Sequence, residues 1–227
     1  MADDAQSPRV QVRVWDWPTR IVHWLFVLLI PLAWWTAEEH HFDWHRRVGY
    51  ILLALLLFRV AWGFIGSSTA RFSGFLAGPR TALRYLRDGG SGEKRVGHNP
   101  LGGWSVVALL SLMILQAGLG LFSIDVDGLE SGPLADRISF DSGRWAADLH
   151  ELNFYILLGF IALHIGAILF YTFMRRERLI PPMITGLAAA EPGTDQMRGA
   201  PPWRAIITLI IAFAIIWWIS TGAIWPF

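Results

Sequence analysis

Residues 149–168 read LHELNFYILLGFIALHIGAI, an apolar run that contains two histidines, His150 and His164. The run is long enough for a helix to cross a bilayer core of about 30 Å, which takes roughly 20 residues. The two histidines lie fourteen residues apart, which places them within roughly 40° of one helix face and about 21 Å apart along its axis. Two coordinating side chains that far apart cannot share one metal, and their spacing suits two stacked cofactors.

Four similar apolar runs accompany this one, and together they predict an all-α membrane protein. Of the 227 residues, 54% are hydrophobic and only 16% are charged, against about 25% charged in soluble domains. Helices are favoured because a lone apolar segment in lipid must satisfy its own backbone hydrogen bonds. The polar start of the chain, with Asp3 and Asp4, does not resemble a cleavable signal. We expect spans near residues 20–37, 46–65, 102–122, 146–173 and 204–225.

The charges between the spans predict an orientation. The connection 66–101 is basic and the connection between spans three and four is acidic, and basic loops stay in the cytoplasm. The N-terminus is therefore expected inside and the C-terminus in the periplasm, in a bacterial inner membrane. Residues 78–90 read as a basic amphipathic helix, either on the inner membrane surface or solvated. A net charge of only +1 offers no nucleic-acid footprint.

Cofactor chemistry is limited by the residues present. The chain has no cysteine, which excludes disulfides, iron–sulfur clusters, thiolate zinc sites and covalently attached c-type haem. Any metal must be held by histidine, methionine, carboxylate or backbone. Histidines inside membrane spans are rare and default to functional candidates. The chain has seven histidines: His23, His40, His41, His45, His98, His150 and His164.

Four of these histidines pair by height in the predicted topology. His23 lies near the inner end of span one and His45 near the outer end of span two. In span four His150 is outer and His164 inner. The pairs His23 with His164 and His45 with His150 suit two six-coordinate haems, one near each membrane face, with these histidines as the iron ligands. Full axial coordination favours electron transfer over oxygen or substrate activation.

Other residues fit this arrangement. Gly49 follows His45 by one helical turn, where a missing side chain lets a flat macrocycle approach. Arg59 shares that helix face at the inner end and is expected to pair with a haem propionate, with Arg20 as the interfacial alternative. A snorkelling role for Arg59 is the competing interpretation. We expect His40 and His41 to be interfacial or solvated, and His98 to be a local hydrogen-bonding residue at a helix entry.

Several motifs resemble the prokaryotic cytochrome b561 family, which is related to hydrogenase-type cytochrome b subunits. The resemblance implies a four-helix bundle that holds two b haems, with His23, His45, His150 and His164 as ligands. It also implies electron exchange with the quinone pool and with a c-type cytochrome or a dehydrogenase. The matching stretches are VWDWPTRIVHW (14–24), HRRVGY (45–50), FRVAWGFIGS (58–67), ARFSGF (70–75), GHNPLGGW (97–104) and LHELNFYILLGFIALHIGAI (149–168).

This reading divides the chain into four parts. Residues 1–13 are a cytoplasmic arm, 14–178 the di-haem bundle, 179–203 a cytoplasmic linker and 204–227 an extra membrane helix. The extra helix and the long acidic loop depart from the family's minimal pattern.

The sequence leaves three functional hypotheses. The first is transmembrane electron transfer between quinone and a c-type cytochrome or periplasmic redox partner. This hypothesis is compatible with a chain that is itself a quinone oxidoreductase or only an electron carrier, and with an oligomer. The second is a membrane-anchor cytochrome b subunit of a hydrogenase-like or other periplasmic dehydrogenase complex. The third is a haem-free transporter, for which we find neither an inverted repeat nor an acid–histidine chain within the spans.

Overall fold

The computed structural model describes residues 9–88, 97–127 and 130–221. Within these ranges the chain is mainly helical, and five helices are long and apolar enough to cross a membrane, which confirms the predicted class. In chain order the elements are β1 (Val10–Arg13), α1 (Trp17–Glu38), α2 (Phe42–Ile65), α3 (Phe72–Phe75), α4 (Pro79–Arg87), α5 (Pro100–Phe122), a 3-10 turn (Ala135–Arg137), α6 (Phe140–Phe173), α7 (Ile180–Thr185), β2 (Leu187–Ala190) and α8 (Pro202–Ser220).

The start of α1 is fixed by a buried carboxylate. Asp16 Oδ1 accepts a hydrogen bond of 2.9 Å from the backbone N–H of Thr19, and Pro18 lies in the first turn, where its missing N–H costs nothing. The second oxygen, Oδ2, accepts a hydrogen bond of 2.9 Å from the indole N–H of Trp62 on α2. One side chain therefore caps α1 and fastens it to α2.

The five long helices run alternately up and down, so their connections gather at two ends. Of the described residues, the basic end carries 66–88, 97–99 and 174–201, and the acidic end carries 39–41, 123–127 and 130–139. Contacts between connections tie each end together. At the basic end Ser68 N–H donates to Arg198 O at 3.0 Å. At the acidic end Arg46, on α2, forms an ion pair with Glu130.

The core of the bundle lies around α2, which packs against α1, α5 and α8, while α5 packs against α6. Leu55, Phe58 and Trp62 of α2 meet Ala205 and Ala212 of α8 in one buried cluster. A second cluster lies between α2, α5 and α6 and contains Leu56, Leu110, Met113 and Leu157. The extra C-terminal helix is therefore packed onto the bundle.

A small sheet closes the basic end. β1 pairs antiparallel with β2, from Val10 opposite Ala190 to Arg13 opposite Leu187. The turn before β2 uses Gly186 at φ 84°, a conformation that glycine adopts without strain, and its carbonyl accepts from Val14 N–H at 2.8 Å. The sequence interpretation placed an arm and a linker here. Four-residue strands, one of them mostly alanine, are too short to produce a recognisable alternating pattern.

Two further elements differ in detail from the sequence interpretation. α6 begins at Phe140, before the predicted start of span four, and its 34 residues extend about 51 Å. It therefore reaches well beyond a bilayer core of about 30 Å. The predicted amphipathic segment 78–90 forms α4 over Pro79–Arg87, and its last two residues lie outside the described part of the chain. Tyr85 of α4 contacts Tyr171 of α6, with 3.3 Å between the two hydroxyl oxygens.

Candidate functional site

Two of the predicted ligand histidines meet at the acidic end. The rings of His45, on α2, and His150, on α6, have centroids 6.1 Å apart and planes at 81°. A metal–imidazole bond is about 2 Å long, so two imidazoles on opposite sides of one metal have ring centroids roughly 6 Å apart. The pair therefore has the separation that axial ligation of a single iron requires.

Hydrogen bonds orient both rings. Nδ1 of His45 lies 2.8 Å from the carbonyl oxygen of Ala33, and Nδ1 of His150 lies 2.9 Å from the carbonyl oxygen of Gln116. A carbonyl can only accept, so the proton of each ring is on Nδ1 and the lone pair is on Nε2. Histidines that bind metals are typically held in this way, with the second nitrogen donating to a carbonyl or carboxylate. The donor set fits a haem iron.

A cavity of about 480 Å³ surrounds this pair, a volume within the usual range for ligand sites. It is bounded by α1, α2, α5, α6 and the connection 123–139. Besides the two histidines its lining includes Trp34, Glu38, His40, Arg46, Gln116, Gly120, Asp125, Glu130, Glu151 and Tyr155.

Two glycines leave room beside the pair. A Cβ added at Gly49 would meet nothing within 4 Å, so the helix surface one turn from His45 is open. A Cβ added at Gly120 would lie 3.0 Å from Cε1 and 3.3 Å from Nδ1 of His150. Gly120 therefore allows the imidazole of His150 to lie directly on α5.

At the basic end His23, on α1, and His164, on α6, lie near enough for their charges to interact. The Nδ1 atom of His23 is buried and has no hydrogen-bond partner among the described residues. Within that part of the chain no ring contact joins His23 to His164, so this pair is more open than the acidic-end pair. His150 and His164 lie toward opposite ends of α6, so the two pairs are separated along the bundle.

Arg59 is a buried cation near the basic-end pair. Its side chain is 6% exposed, and Nη1 is buried without a hydrogen-bond partner in the described ranges. The guanidinium carbon lies 5.7 Å from the ring centroid of Phe72, and Asp16 is near enough for an electrostatic interaction. A buried guanidinium with an unused donor is suited to bind an anion.

His98 belongs to the same end. Its ring lies between Trp15 and Phe75, with centroid distances of 4.7 and 4.6 Å, and its Nδ1 is buried without a hydrogen-bond partner among the described residues. Burial lowers the pKa of His98 to about 3, with smaller contributions from the charges of Arg59 and His164. The hydrogen bond at this helix entry, which we had expected of His98, is made by Asn99, whose Oδ1 accepts from Gly102 N–H at 2.7 Å.

Arg20 points toward a different neighbour. Its Nη1 donates to the carbonyl of Ile184 in α7, and the indole of Trp24 donates to Met183 O at 3.0 Å. These residues line a shallow, mostly apolar groove of about 340 Å³ between α1 and α7. Of the remaining histidines, His40 and His41 are both exposed at the acidic end, where His40 has φ 58° and His41 precedes the first residue of α2.

Several residues near the histidine pairs were missed from the sequence. Gln116 and Asn153 are uncharged, and only ionisable side chains had been singled out within the spans. Arg46 lies in the first turns of α2, and its ion pair with Glu130 depends on a contact between distant parts of the chain. For Gln116 and Asn153 the sequence did contain a usable signal, namely an amide side chain within an otherwise apolar run, which indicates a helix contact in membrane proteins.

These features define a multi-pass membrane protein with histidine sites of the kind that b-type cytochromes use. The chain belongs to the prokaryotic cytochrome b561 family, whose sequence profile matches residues 14–186. Membership confirms the resemblance of the motifs, makes the chain a membrane cytochrome b, and implies haem b as its prosthetic group.

Three relatives are each described as a probable Ni/Fe-hydrogenase B-type cytochrome subunit. The protein of Azotobacter chroococcum mcd 1 is 27% identical over 157 residues, covering 63% of this chain and 65% of the relative. That of Rhizobium leguminosarum bv. viciae is 25% identical over 162 residues, covering 63% and 66%. That of Azotobacter vinelandii is 26% identical, covering 63% and 65%. The chain thus spans just under two thirds of each relative's length. No solved structure matches it.

Proposed function

We propose that this protein carries electrons across a membrane through two b haems, each held by two histidines. His45 and His150 hold the haem at the acidic end, and His23 and His164 hold the haem at the basic end. The observation that supports this most directly is the 6.1 Å separation of the His45 and His150 rings, each with Nδ1 turned to a carbonyl. When bound, a bis-histidine haem supplies a one-electron couple between ferric and ferrous iron.

The chain's own residues prepare the acidic-end site. The carbonyls of Ala33 and Gln116 hold the two rings with Nε2 free. The buried cluster of Leu56, Leu110, Met113 and Leu157 fills the bundle between the two ends and excludes water there. Electron transfer benefits because a dry, rigid surrounding changes little when the charge of the site changes.

At the basic end we assign Arg59 to a haem propionate. Its buried, unpartnered Nη1 supports this assignment, because a carboxylate is the natural partner of a buried guanidinium. Arg20, which donates to Ile184 O, is the alternative partner for the propionate, at the membrane interface. At Gly49 there is open space where a Cβ would be, which lets the flat haem ring lie close to α2 beside His45.

The electron partners in this proposal are membrane quinone and a c-type cytochrome or periplasmic oxidoreductase. The acidic end carries Glu38, Asp43 and Glu130 around the mouth of the cavity, and complementary charge accelerates encounter. A small basic c-type cytochrome should therefore bind faster at low ionic strength, and its association rate should fall as salt rises. Stopped-flow kinetics measure this, with an acidic cytochrome as the control. A rate that salt leaves unchanged would contradict docking at this end.

A second candidate is a membrane-anchor subunit of a hydrogenase-like complex. The description of the three relatives as probable hydrogenase cytochrome subunits favours it, and α8, which lies beyond the matched residues 14–186, is available to hold a partner. Purification from native membranes distinguishes the two. A partner-free chain that oxidises or reduces quinone at full rate would count against an obligate anchor.

The proposed orientation places the basic end in the cytoplasm and the acidic end in the periplasm of a bacterial inner membrane. The excess of arginine at one end supports it. The absence of cysteine allows a direct test with single introduced thiols. In intact spheroplasts an impermeant maleimide should label Asp127→Cys and not Arg80→Cys, both at exposed positions. The reverse pattern would overturn the orientation.

The deciding experiment is a dithionite-reduced minus oxidised spectrum of the purified protein, with haem counted per chain. Two low-spin b haems are expected, and His45→Ala and His23→Ala should each remove a different one. One haem would eliminate one of the two pairs. A haem-free chain, expressed with ample haem supply, would overturn the proposal.

A further inference from the structure

A pair of amide side chains joins α5 and α6 deep inside the bundle. Asn153, on α6, is 4% exposed. Its Nδ2 donates to Leu112 O at 3.0 Å and to Gln116 Oε1 at 2.7 Å. Both hydrogens of the amide are therefore used, and both bonds go to α5.

Packing alone does not require this pair. The neighbouring layer of the same helix contact is filled by Leu110, Met113 and Leu157. A buried amide in an apolar surrounding costs free energy unless it is hydrogen-bonded, whereas leucine at the same place costs none. In the described ranges, the contact between α5 and α6 thus contains one layer of hydrogen-bonded side chains, and that layer lies next to His150.

Gln116 connects the amide pair to the histidine. Its side-chain oxygen accepts from Asn153, and its backbone oxygen accepts from Nδ1 of His150 at 2.9 Å. Gly120, one turn further along α5, lies against the same ring, since a Cβ there would be 3.0 Å from its Cε1. Gln116 and Gly120 of α5 therefore both position His150. Asn153 in turn is hydrogen-bonded to the part of α5 that contains Gln116.

The second ligand of this site is held differently. His45 donates to Ala33 O, and the hydroxyl of Thr36 donates to the same oxygen at 2.9 Å. The donors to that carbonyl are the ligand His45 itself, on α2, and Thr36 of α1, and in the described ranges no further side chain of another helix hydrogen-bonds to it. The two imidazoles of the acidic-end site thus have unequal supports.

We propose that Asn153 is a positioning residue that, through Gln116, fixes the carbonyl to which His150 donates, and so sets the orientation and basicity of His150 as an iron ligand. A stronger bond from Nδ1–H makes Nε2 a better electron donor, which stabilises ferric iron. The inference rests on the proposed function, because it needs an iron between His45 and His150.

The test compares Asn153→Leu and Gln116→Leu with Leu157→Ala. Leu157 is 2% exposed and lies one turn further along α6 in the same helix contact, so its variant loosens the packing without touching the amide pair. Haem content, the electron paramagnetic resonance signals of the ferric haems and an optical redox titration are measured on each purified protein. The acidic-end haem is identified as the component that His45→Ala removes.

Both amide variants should raise the midpoint potential of the acidic-end haem and shift its resonance signal, with the basic-end haem unchanged. Because the two side chains act through each other, the double variant should shift no further than either single variant. Leu157→Ala should lower thermal stability and leave both potentials in place. Should Asn153→Leu lose haem, Asn153→Ser, which keeps one donor, and Gln116→Leu provide the same readout.

Amide variants with two haems and unmoved potentials would overturn the inference and leave the proposed function intact. Equal shifts in the Leu157→Ala control would also overturn it, because the effect would then come from packing. A wild-type chain that binds no haem at this pair would instead overturn the proposed function.

Discussion

At the level of single residues, the acidic-end histidines are anchored by main-chain atoms. Nδ1 of His45 and of His150 each face a backbone carbonyl and not a carboxylate. A carbonyl accepts the hydrogen bond without being able to take the proton, so Nδ1 keeps its hydrogen and Nε2 is the atom left for a metal. Substitution cannot delete a carbonyl. This arrangement is therefore sensitive to two kinds of substitution: those that crowd the ring, and those that let the helix bearing the carbonyl move.

Gly120→Ala tests crowding. The new methyl group would lie 3.0 Å from Cε1 of His150, so the ring must move by a few tenths of an ångström, and overpacking of this kind costs about 1–3 kcal/mol. We expect a shifted signal or partial loss of the acidic-end haem, measured by haem content and electron paramagnetic resonance. Gly118→Ala is the matched control, since a Cβ there meets nothing within 4 Å. Identical behaviour of the two variants would contradict the packing of His150 on α5.

Arg59→Gln tests the cation of the basic end. Removing a buried positive charge beside a haem propionate favours the ferric state, so the midpoint potential of the basic-end haem should fall. A redox titration measures it, and Arg20→Gln serves as the comparison. A shift of the midpoint potential in Arg20→Gln alone would mean that Arg20, and not Arg59, pairs with the propionate. Unchanged potentials in both variants would remove both residues from the site.

At the level of helices, one carboxylate, Asp16, both caps the start of α1 and hydrogen-bonds to α2. Asp16→Ala removes the cap on Thr19 N–H and leaves the indole of Trp62 without its acceptor. We expect a loss of about 2–4 kcal/mol from the cap and the unpaired donor together. Thermal unfolding in detergent, followed by haem absorbance, reports the loss.

The control for that experiment is Ser139→Ala. Ser139 caps α6 in the same way but is exposed and holds no second helix. Its loss should cost about 1 kcal/mol or less. Equal destabilisation by the two substitutions would show that the bond from Trp62 to Asp16 adds nothing.

The helices were predictable from the sequence and their ends were less so. Apolar runs of bilayer length identify the five spans because lipid imposes the same requirement on every crossing. The early start of α6 at Phe140 was missed, since Asp141, Ser142 and Arg144 interrupt the apolar run and hydropathy does not register a helix that leaves the membrane. The histidine heights followed from helix rise and loop charge. That Asn153 reaches Gln116 depends on how α6 is rotated against α5, which no single stretch of sequence encodes.

At the level of the whole molecule, the four candidate ligands come from α1, α2 and α6, and α8 contributes none. A chain that ends after Pro201 should therefore keep both haem signals and both potentials. α8 covers Leu55, Phe58 and Trp62 of α2, but lipid can replace it there at small cost because its tails are as apolar as the helix. Haem content and thermal stability of the purified truncated protein measure the outcome. Loss of either haem would make α8 part of the haem-binding unit.

The pairing of β1 with β2 has a consequence for the order in which the protein is made. Residues 10–13 leave the ribosome before their partners, residues 187–190, which follow only after α1, α2, α5 and α6 have been produced. At about 5–20 residues per second the first strand waits on the order of ten seconds or more for the second. Because the strands must meet on one side of the membrane, the sheet can close only after an even number of crossings has been inserted. The sheet therefore joins the two ends of the unit formed by α1, α2, α5 and α6 only once all four helices have been inserted, and α8 is added afterwards.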